Sequence, residues 1–594
     1  MHMHTIIIRF LKKNFLIVWI TLLAVFLRFV AIESAPPSLN WDEVSHGFNA
    51  YSILKTGKDE WGFTLPTIFR AYGDYKLPVY IYLTAISEFF FGLNTFAVRL
   101  PSVLAGIGTV IFAYLLVLEL FSQFNHQSPI TNHQSLATIT ALLVAIEPWS
   151  LFLSRGAFEA NLSLFFIVSG VYFFLKGLHA ISYLLPATIL FGLSVWTYNS
   201  ARIFVPLLMI VIIFIFRKDL TSVFKKNNRI FVYCLLLTVF FFLPMFYQLL
   251  NTSGQARYGE VAIIDQGAIA QIIEARQNSS FGQTITRLLY NRPVYFMQRF
   301  ISNWASHFTC SFLFFKGGNN YQFSVPDHGL MYLVNLPFFF LGLLLLLKRV
   351  FNRDRISILL FSWLILAPIP SSLTREAPHV LRFIVMLPVP MIISAIGIIW
   401  VFNWIKDKKL KIRMQSTFLI LYFLILSIYS VKYLNTYFND YRNDFSRSWQ
   451  YGYKEAVLYA KDNYQKYDKI VVTKAYGEPH EFFLFYWQWD PEAYRNDPGL
   501  NRFYQSNWYW VDRFDKFYFV NDWDIPTEEW QDFVLESGKV FKCESIPNDL
   551  KPLIEYDAEK CLLITSPGKV PKGWSKLETV NFLDGNFAFE IYEN

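Results

Sequence analysis

Long apolar runs recur along the first 434 residues and constrain the fold more than any other feature of the sequence. A helix needs about 20 mostly apolar residues to cross a bilayer. Eleven segments meet that length: 14–33, 98–121, 136–153, 159–177, 180–197, 201–216, 230–250, 329–347, 356–373, 380–404 and 414–434. Composition agrees, since only 16% of the 594 residues are charged, whereas soluble chains carry about 25%. We therefore predict a polytopic α-helical membrane protein with about 11 transmembrane helices.

A further stretch, 77–92, is apolar but short, and the cations decide whether it crosses. Lys and Arg cluster at 9–13, 217–229, 348–355 and 406–413. If 77–92 does not cross, all four clusters face one compartment, which the positive-inside rule identifies as the cytoplasm. We therefore expect this helix to lie at the outer interface, with Lys76 and Glu88 in contact with water.

This topology predicts a multi-pass protein of the plasma (inner) membrane with its N-terminus in the cytoplasm. The outer face then receives a first loop, 34–97, a large loop, 251–328, and all residues after 434. We treat 1–434 as the transmembrane domain. Because the net charge of +8 is concentrated beside the spans, we expect the lipid bilayer as a partner and no nucleic acid.

Residues 435–594 are charged and rich in aromatic side chains, and they predict a soluble extracytoplasmic α/β domain. Helical character extends over 446–464, and short β-type runs occur at 469–473, 516–520, 539–543 and 561–565. Cys543 and Cys561 either pair in an oxidising compartment or remain two buried thiols. The aromatic residues of this region either stack on sugars or fill the core of the domain.

Two sites in the predicted outer segments carry acidic side chains. Asp42 and Glu43 are adjacent and follow the first span directly, and Glu159 opens the fourth span. A partly desolvated carboxylate is a good general base, and a neighbouring carboxylate can orient it. The alternatives are a solvated turn for the pair and a carboxylate at a helix N-terminus for Glu159.

Cationic side chains occur in the same outer segments. They are Lys76, Arg155, His379 and Arg382. Lys and Arg at the membrane surface suit the phosphate of a lipid. The alternative is that they anchor the helices by reaching toward lipid headgroups. On the predicted topology, acidic and basic groups meet at one outer cavity, as transfer of a group from a lipid phosphate requires.

The order of these residues resembles a known family. Asp42-Glu43 is followed by Lys76-x-Pro78, by Phe-x-x-Gly-x-x-x-Phe-x-x-Arg-Leu-Pro from Phe89 to Pro101, and by Ser154-Arg155-x-x-x-Glu159. This pattern resembles the bacterial protein O-mannosyltransferase and aminoarabinose transferase group, which is similar to glycosyltransferase family 39. The resemblance implies a C-type glycosyltransferase fold and a polyprenyl-phosphate-linked sugar as donor. It covers about the first 200 residues well and the region from His379 to Pro390 moderately.

The resemblance also implies roles for individual residues. Asp42 corresponds to the catalytic base, with Glu43 beside it and Glu159 at the second acidic position, where the group commonly has Asp. Lys76 and Arg382 correspond to ligands of the lipid phosphate. The implied reaction is an inverting transfer of a hexosyl or pentosyl group to an acceptor on the outer face.

Two other functions are compatible with the same residues. A transporter or flippase of lipid-linked sugars would bind the substrate without breaking a bond, but such proteins usually contain inverted repeats, and the sequence shows none. A lipid-linked polymerase or ligase would differ mainly in its donor. No cofactor is required, and we predict no metal ligands. A divalent metal is compatible with the chemistry, but the sequence does not indicate one.

Overall fold

The computed structural model describes residues 14–73, 75–122, 133–226, 228–251, 259, 261–407, 412–528, 531–543 and 559–594. The cation cluster at 9–13 lies outside these residues. The chain forms two compact units. Unit 1 comprises the residues up to Val30 and Ser102–Asn435, and unit 2 comprises Ala31–Pro101 and Thr436–Asn594.

Unit 1 is helical. Its helices are Phe15–Phe29, Thr95–Ser122 (from Ser102 onward), His133–Ile146, Pro148–Leu153, Glu159–Gly177, Leu184–Val195, Asn199–Ile215, Arg217–Lys226, Asn228–Leu250, Gln266–Gln277, Gln283–Leu289, Arg292–Ser306, Leu336–Phe351, Arg355–Leu366, Ile369–Ser372, Val389–Asp407 and Ile412–Asn435. Large apolar side chains such as Leu235, Phe240 and Leu243 are exposed on one of them. Such surfaces require a bilayer as solvent.

Seven helices among the described residues are long and apolar enough to cross a membrane, or eight if the bent pair Asn199–Ile215 and Arg217–Lys225 is one span. Shorter apolar helices, including Phe15–Phe29 and His133–Ile146, lie at other predicted spans. The prediction of a polytopic helical membrane protein is confirmed. The figure of eleven spans stays a prediction, because several of the segments form helices of 10–17 residues.

The helix Pro78–Phe91 corresponds to the short apolar stretch. Its 14 residues extend for only about 21 Å, less than the roughly 30 Å of a hydrocarbon core. Helices of similar length occur at two predicted spans, Phe15–Phe29 and His133–Ile146, so the position of this helix at the interface stays a prediction. The expectation that Glu88 contacts water is wrong, because its residue is only 3% exposed. The helix packs against the helix Trp41–Thr56, through Ile81 and Ala85 against Ala50.

Unit 2 contains the predicted α/β domain, which is thereby confirmed. Its helices are Trp41–Thr56, Pro78–Phe91, Arg442–Asp444, Tyr453–Asp462, Pro479–Trp487 and Pro491–Asn496. Its strands are β1 (Phe69–Arg70), β2 (Tyr75–Lys76), β3 (Lys469–Thr473), β4 (Asn501–Gln505), β5 (Trp508–Phe514), β6 (Phe517–Val520), β7 (Phe533–Val534), β8 (Val540–Phe541), β9 (Cys561–Thr565), β10 (Ser575–Asn581) and β11 (Phe587–Glu593).

Seven of these strands form one mixed sheet in the order β10-β11-β9-β3-β6-β5-β4. The central strand β3 is parallel to both neighbours, β6 and β9. Such strands are covered on both faces and need continuous apolar runs, and Ile470, Val471 and Val472 are fully buried. On one face, a disulfide between Cys543 and Cys561 joins the core. The sequence left this pairing open.

The segment Ala31–Pro101 belongs to the same compact unit as the C-terminal sheet. Arg495 donates hydrogen bonds to the hydroxyl of Ser52 at 2.8 Å and to the carbonyl of Asp59 at 3.0 Å. The helix Trp41–Thr56 also lies against the helix Pro479–Trp487. A Cβ atom added at Gly47 would lie 2.4 Å from the ring of Phe485, so only glycine fits at this contact. The division of the chain at 434/435 therefore stays a prediction, since packing groups 31–101 with 436–594.

Candidate functional site

Asp42 and Lys76 form an ion pair in unit 2. The ammonium nitrogen of Lys76 lies 2.8 Å from a carboxylate oxygen of Asp42. Asp42 lies in the first turn of the helix Trp41–Thr56, where the helix dipole favours negative charge. The carboxylate side chain is 42% exposed, while that of Lys76 is 14% exposed. The structure thus brings together a predicted base and a predicted phosphate ligand, and it leaves the base accessible.

Glu43 has a different environment although it is the next residue. Its backbone N–H donates to the Asn40 side chain at 3.0 Å, and its carboxylate accepts from the Asn40 backbone at 3.1 Å, so the two residues form a capping box. The same carboxylate accepts two hydrogen bonds from the guanidinium of Arg99, at 2.9 and 3.1 Å. The side chains of Glu43 and Arg99 are 1% and 0% exposed. Glu43 therefore fixes the helix start.

Arg99 extends this arrangement to the backbone before the helix. Its guanidinium donates to the carbonyl of Ile32 at 2.7 Å and of Pro36 at 3.1 Å, and also to that of Ser38. Its cation lies 6.0 Å from the ring centre of Trp449. One buried side chain therefore holds the residues that lead into the helix bearing Asp42.

Lys76 is positioned by a short antiparallel ribbon. In this ribbon β2 pairs with β1, and Lys76 lies opposite Phe69, which is buried. Pro78 then begins the next helix at its first position, a place that its fixed φ suits. The Lys-x-Pro motif thus combines a strand end, which carries the cation, with a helix start.

Aromatic rings lie beside the ion pair. Tyr72 donates from its hydroxyl to the carbonyl of Trp41 at 2.6 Å and stacks on Trp508 with ring centres 5.7 Å apart. Burial raises the pKa of Tyr72 well above its usual value, and the carboxylates of Glu481 and Asp42 raise it further. Tyr72 therefore remains a neutral hydrogen-bond donor next to the candidate base.

A buried cluster that the sequence analysis missed lies in the same unit. Glu60, His480 and Glu481 each offer a ligand atom, and these atoms lie within 4.8 Å of one another. All three residues are buried. More than 400 positions separate Glu60 from the other two, so no spacing rule could have connected them. These residues are candidates for holding a metal ion.

Glu159 and Arg155 lie in unit 1. Glu159 is the first residue of the helix Glu159–Gly177, which favours its carboxylate through the helix dipole. Arg155 is fully buried, and its guanidinium donates to the carbonyl of Val30 at 2.6 Å and to that of Leu27. In this structure Arg155 therefore satisfies carbonyl groups at the end of the first described helix.

His379 and Arg382 also lie in unit 1, on one irregular segment. The backbone N–H of Arg382 lies 3.4 Å from the Nδ1 atom of His379. The guanidinium of Arg382 is almost buried, forms an ion pair with Glu376 at 2.6 Å and donates to Thr374 at 2.9 Å. The charge of Arg382 is thus balanced within its own segment.

One aromatic ring connects the predicted residues of unit 1. Phe323 lies 5.7 Å from the ring of Phe158, which precedes Glu159, and 5.0 Å from the ring of His379. The structure therefore brings the hairpin before the helix Glu159–Gly177 and the segment around His379 to the same place. The large loop 251–328 contributes the residue that joins them.

The C-terminal aromatic residues mostly pack on one another. Trp487 and Trp489 lie 5.3 and 5.5 Å from the ring of Phe517 in the core, so packing accounts for them. A cavity of about 390 Å³ lies elsewhere in this unit, between charged and aromatic side chains that include Arg447, Tyr476 and Asp522.

No family model and no curated protein matches the chain. Among solved structures it is similar to ArnT from Cupriavidus metallidurans bound to undecaprenyl phosphate, with 12% identity over 98% of both chains and a TM-score of 0.48. It is also similar to the oligosaccharyltransferase AglB from Archaeoglobus fulgidus in complex with an inhibitory peptide and a dolichol-phosphate, with 14% identity and a TM-score of 0.47. That match covers 80% of this chain but spans only 64% of the archaeal one.

Proposed function

We propose that this protein is an integral membrane glycosyltransferase that moves a sugar from a polyprenyl-phosphate donor to an acceptor on the outer face of the membrane. The observation that carries the proposal is the ion pair of Asp42 and Lys76 at 2.8 Å. It places an accessible carboxylate beside a cation at the start of a helix. The motif order of the first 200 residues supports the class of donor.

The proposed reaction uses the two groups of this pair separately. The donor phosphate binds the Lys76 ammonium and thereby competes with Asp42 for it. The Asp42 carboxylate then accepts the proton of an acceptor hydroxyl. As the acceptor oxygen bonds to the anomeric carbon, the bond from that carbon to the phosphate oxygen breaks. The electron pair leaves with the polyprenyl phosphate, whose charge Lys76 stabilises. A single displacement of this kind inverts the anomeric centre.

Glu43 enters the proposal as a positioning residue because its carboxylate is occupied by Asn40 and Arg99. Arg155 is omitted from the phosphate site because its guanidinium is engaged by backbone carbonyls. We retain Glu159, His379 and Arg382 as further candidates on the strength of the sequence resemblance. Their single variants Glu159→Gln and Arg382→Gln belong in the same assay.

The test measures transfer of labelled sugar in membranes that contain the full chain. A panel of hexosyl and pentosyl polyprenyl phosphates serves as donor, and envelope extract supplies the acceptor. We expect Asp42→Asn to reduce transfer by about 100-fold or more, which is the range of general base catalysis. Lys76→Gln should reduce it as well and raise KM, whereas Lys76→Arg should retain part of the activity.

Two exposed residues of unit 2 provide matched controls. Asp462→Asn removes a carboxylate and Lys55→Ala removes an ammonium at exposed helix positions, and both variants should transfer sugar at the rate of the unaltered protein. Wild-type activity in Asp42→Asn would refute the role of the base. NMR of the product should show the opposite anomeric configuration to that of the donor.

The outer location of unit 2 is part of the proposal. The disulfide between Cys543 and Cys561 supports it, since such bonds persist in oxidising compartments. Because Cys310 is a free, exposed cysteine, the test uses a Cys310→Ser chain with a cysteine introduced at Lys55. A membrane-impermeant maleimide applied to intact cells should label that cysteine, and should label it only after lysis if unit 2 faces the cytoplasm.

A further inference from the structure

The cluster of Glu60, His480 and Glu481 joins two distant parts of the chain. Glu60 lies in the first outer segment, while His480 and Glu481 lie in the first turn of the helix Pro479–Trp487. The Nε2 atom of His480 is 3.9 Å from a carboxylate oxygen of Glu481. Because two metal–ligand bonds of about 2 Å span up to about 4 Å, a single ion can contact both atoms.

The cluster lacks the hydrogen bonds that buried polar atoms normally have. Among the described residues, the Nδ1 atom of His480 and one carboxylate oxygen of Glu481 have no hydrogen-bond partner. Both residues are at most 3% exposed. Leaving such groups unpaired costs about 1–3 kcal/mol each, and a bound ion would reduce that cost at Glu481. The Nδ1 atom of His480 lies 3.5 Å from a carboxylate oxygen of Glu478.

Buried carboxylates outnumber the cations that face them in this cluster. Three carboxylates, those of Glu60, Glu478 and Glu481, are buried together. Arg502 faces Glu60 at 3.7 Å, whereas the nearby Lys474 is already paired with Asp512. A divalent cation would neutralise carboxylates of this cluster that are ionised.

We propose that Glu60, His480 and Glu481 bind a divalent transition-metal ion, with zinc preferred, which fastens the first outer segment to the helix Pro479–Trp487. One imidazole and two carboxylates suit zinc or manganese better than calcium or magnesium, which select oxygen ligands alone. This site is separate from the transfer chemistry of Asp42 and Lys76. It acts by holding the segment that carries them.

The first experiment uses the unaltered full chain in detergent. After dialysis against zinc and then against buffer, elemental analysis should find about one zinc per chain. Removal by EDTA should lower the Tm by roughly 5–10 °C. Zinc should restore the Tm, and magnesium at the same concentration should not. An equal Tm with and without EDTA, with no retained zinc, would overturn the proposal.

Variants assign the site to these residues. His480→Gln and Glu481→Gln should each lose the bound zinc and the response to EDTA. His179→Gln and Glu455→Gln, which change the same residue types at exposed positions, should retain both. If Glu60 and Glu481 share a proton in place of a metal, Glu481→Gln will raise the Tm of a metal-free protein, and the proposal fails. Should the variants not fold, the zinc content of the unaltered chain and its Tm with and without EDTA decide.

Discussion

Replacing Asp42 or Glu43 should affect the stability of unit 2 very differently, although the two residues are adjacent. The Asp42 side chain is 42% exposed and paired at the surface, whereas Glu43 is 1% exposed and faces the buried guanidinium of Arg99. Glu43→Gln therefore removes one charge of a buried pair. Asp42→Asn removes a charge from an accessible one.

The structure sets the size of the two effects. Breaking a buried pair by removing one partner costs about 3–5 kcal/mol, and each kcal/mol lowers the Tm by about 2–4 °C in a unit of this size. Unit 2 has about 230 residues, so Glu43→Gln should lower its Tm by roughly 6–20 °C. An exposed ion pair contributes about 0–1 kcal/mol, so Asp42→Asn should shift the Tm by at most a few degrees.

The assay is thermal unfolding of the full chain in detergent, followed by intrinsic tryptophan fluorescence. The signal sums the 17 tryptophans of the chain, which include Trp449, whose ring lies 6.0 Å from the cation of Arg99. Glu455→Gln, at an exposed helix position, serves as the control and should leave the Tm unchanged. A Tm for Glu43→Gln within 2 °C of the control, or equal destabilisation by Asp42→Asn, would refute this account of the pair.

Three further predictions follow from unit 2. Gly477→Ala should destabilise the unit by about 1–3 kcal/mol, measured as a lower Tm, because Gly477 has φ +114° and a Cβ there would overlap Trp41; it should also lower the transfer rate. Reduction of the bond between Cys543 and Cys561, which closes a loop of 18 residues, should cost about 3 kcal/mol, and an unchanged Tm in reducing agent would contradict this. Although burial raises the pKa of Glu590, hydrogen bonds from a lysine and from backbone and phenol groups lower it more, so that it lies below 4.5. The stability that ionised Glu590 contributes is fully present above the pKa of a carboxyl group in the unfolded chain. It is lost as the pH falls through the lower pKa of the folded protein. The Tm of Glu590→Gln should therefore fall less on acidification than the Tm of the unaltered protein.

The parts of the fold that the sequence predicted are those with a strong local signal. The runs at 469–473 and 561–565 form β3 and β9 with the expected bounds, because strands buried on both faces must be apolar throughout. The predicted helix over 446–464 is present only as Tyr453–Asp462 after a short turn. A glycine at 452 with φ +100° separates the two parts.

The candidate site was predicted only where its signal was local. Asp42 and Lys76 belonged to a motif, and the structure pairs them. The spacing Asn40-x-x-Glu43 is that of a capping box, so the sequence also contains the signal for the structural role of Glu43. The adjacency of two acidic residues instead favours the interpretation as a catalytic pair. Glu60 gave no signal at all. Its partners are contributed by the helix Pro479–Trp487, and only the packing of unit 2 brings them together.

The geometry of one helix turn explains why a rigid residue stands next to a reactive one. Successive residues of a helix point about 100° apart, so Glu43 faces inward when Asp42 faces outward. Arg99 binds Glu43 and the three preceding carbonyls that lead into the helix, and it therefore fixes the direction in which Asp42 projects. A displacement of 1 Å in a catalytic group can cost about 100-fold in rate. Arg99→Met should consequently reduce transfer even at temperatures at which unit 2 remains folded, although Arg99 touches no reacting atom in the proposed reaction.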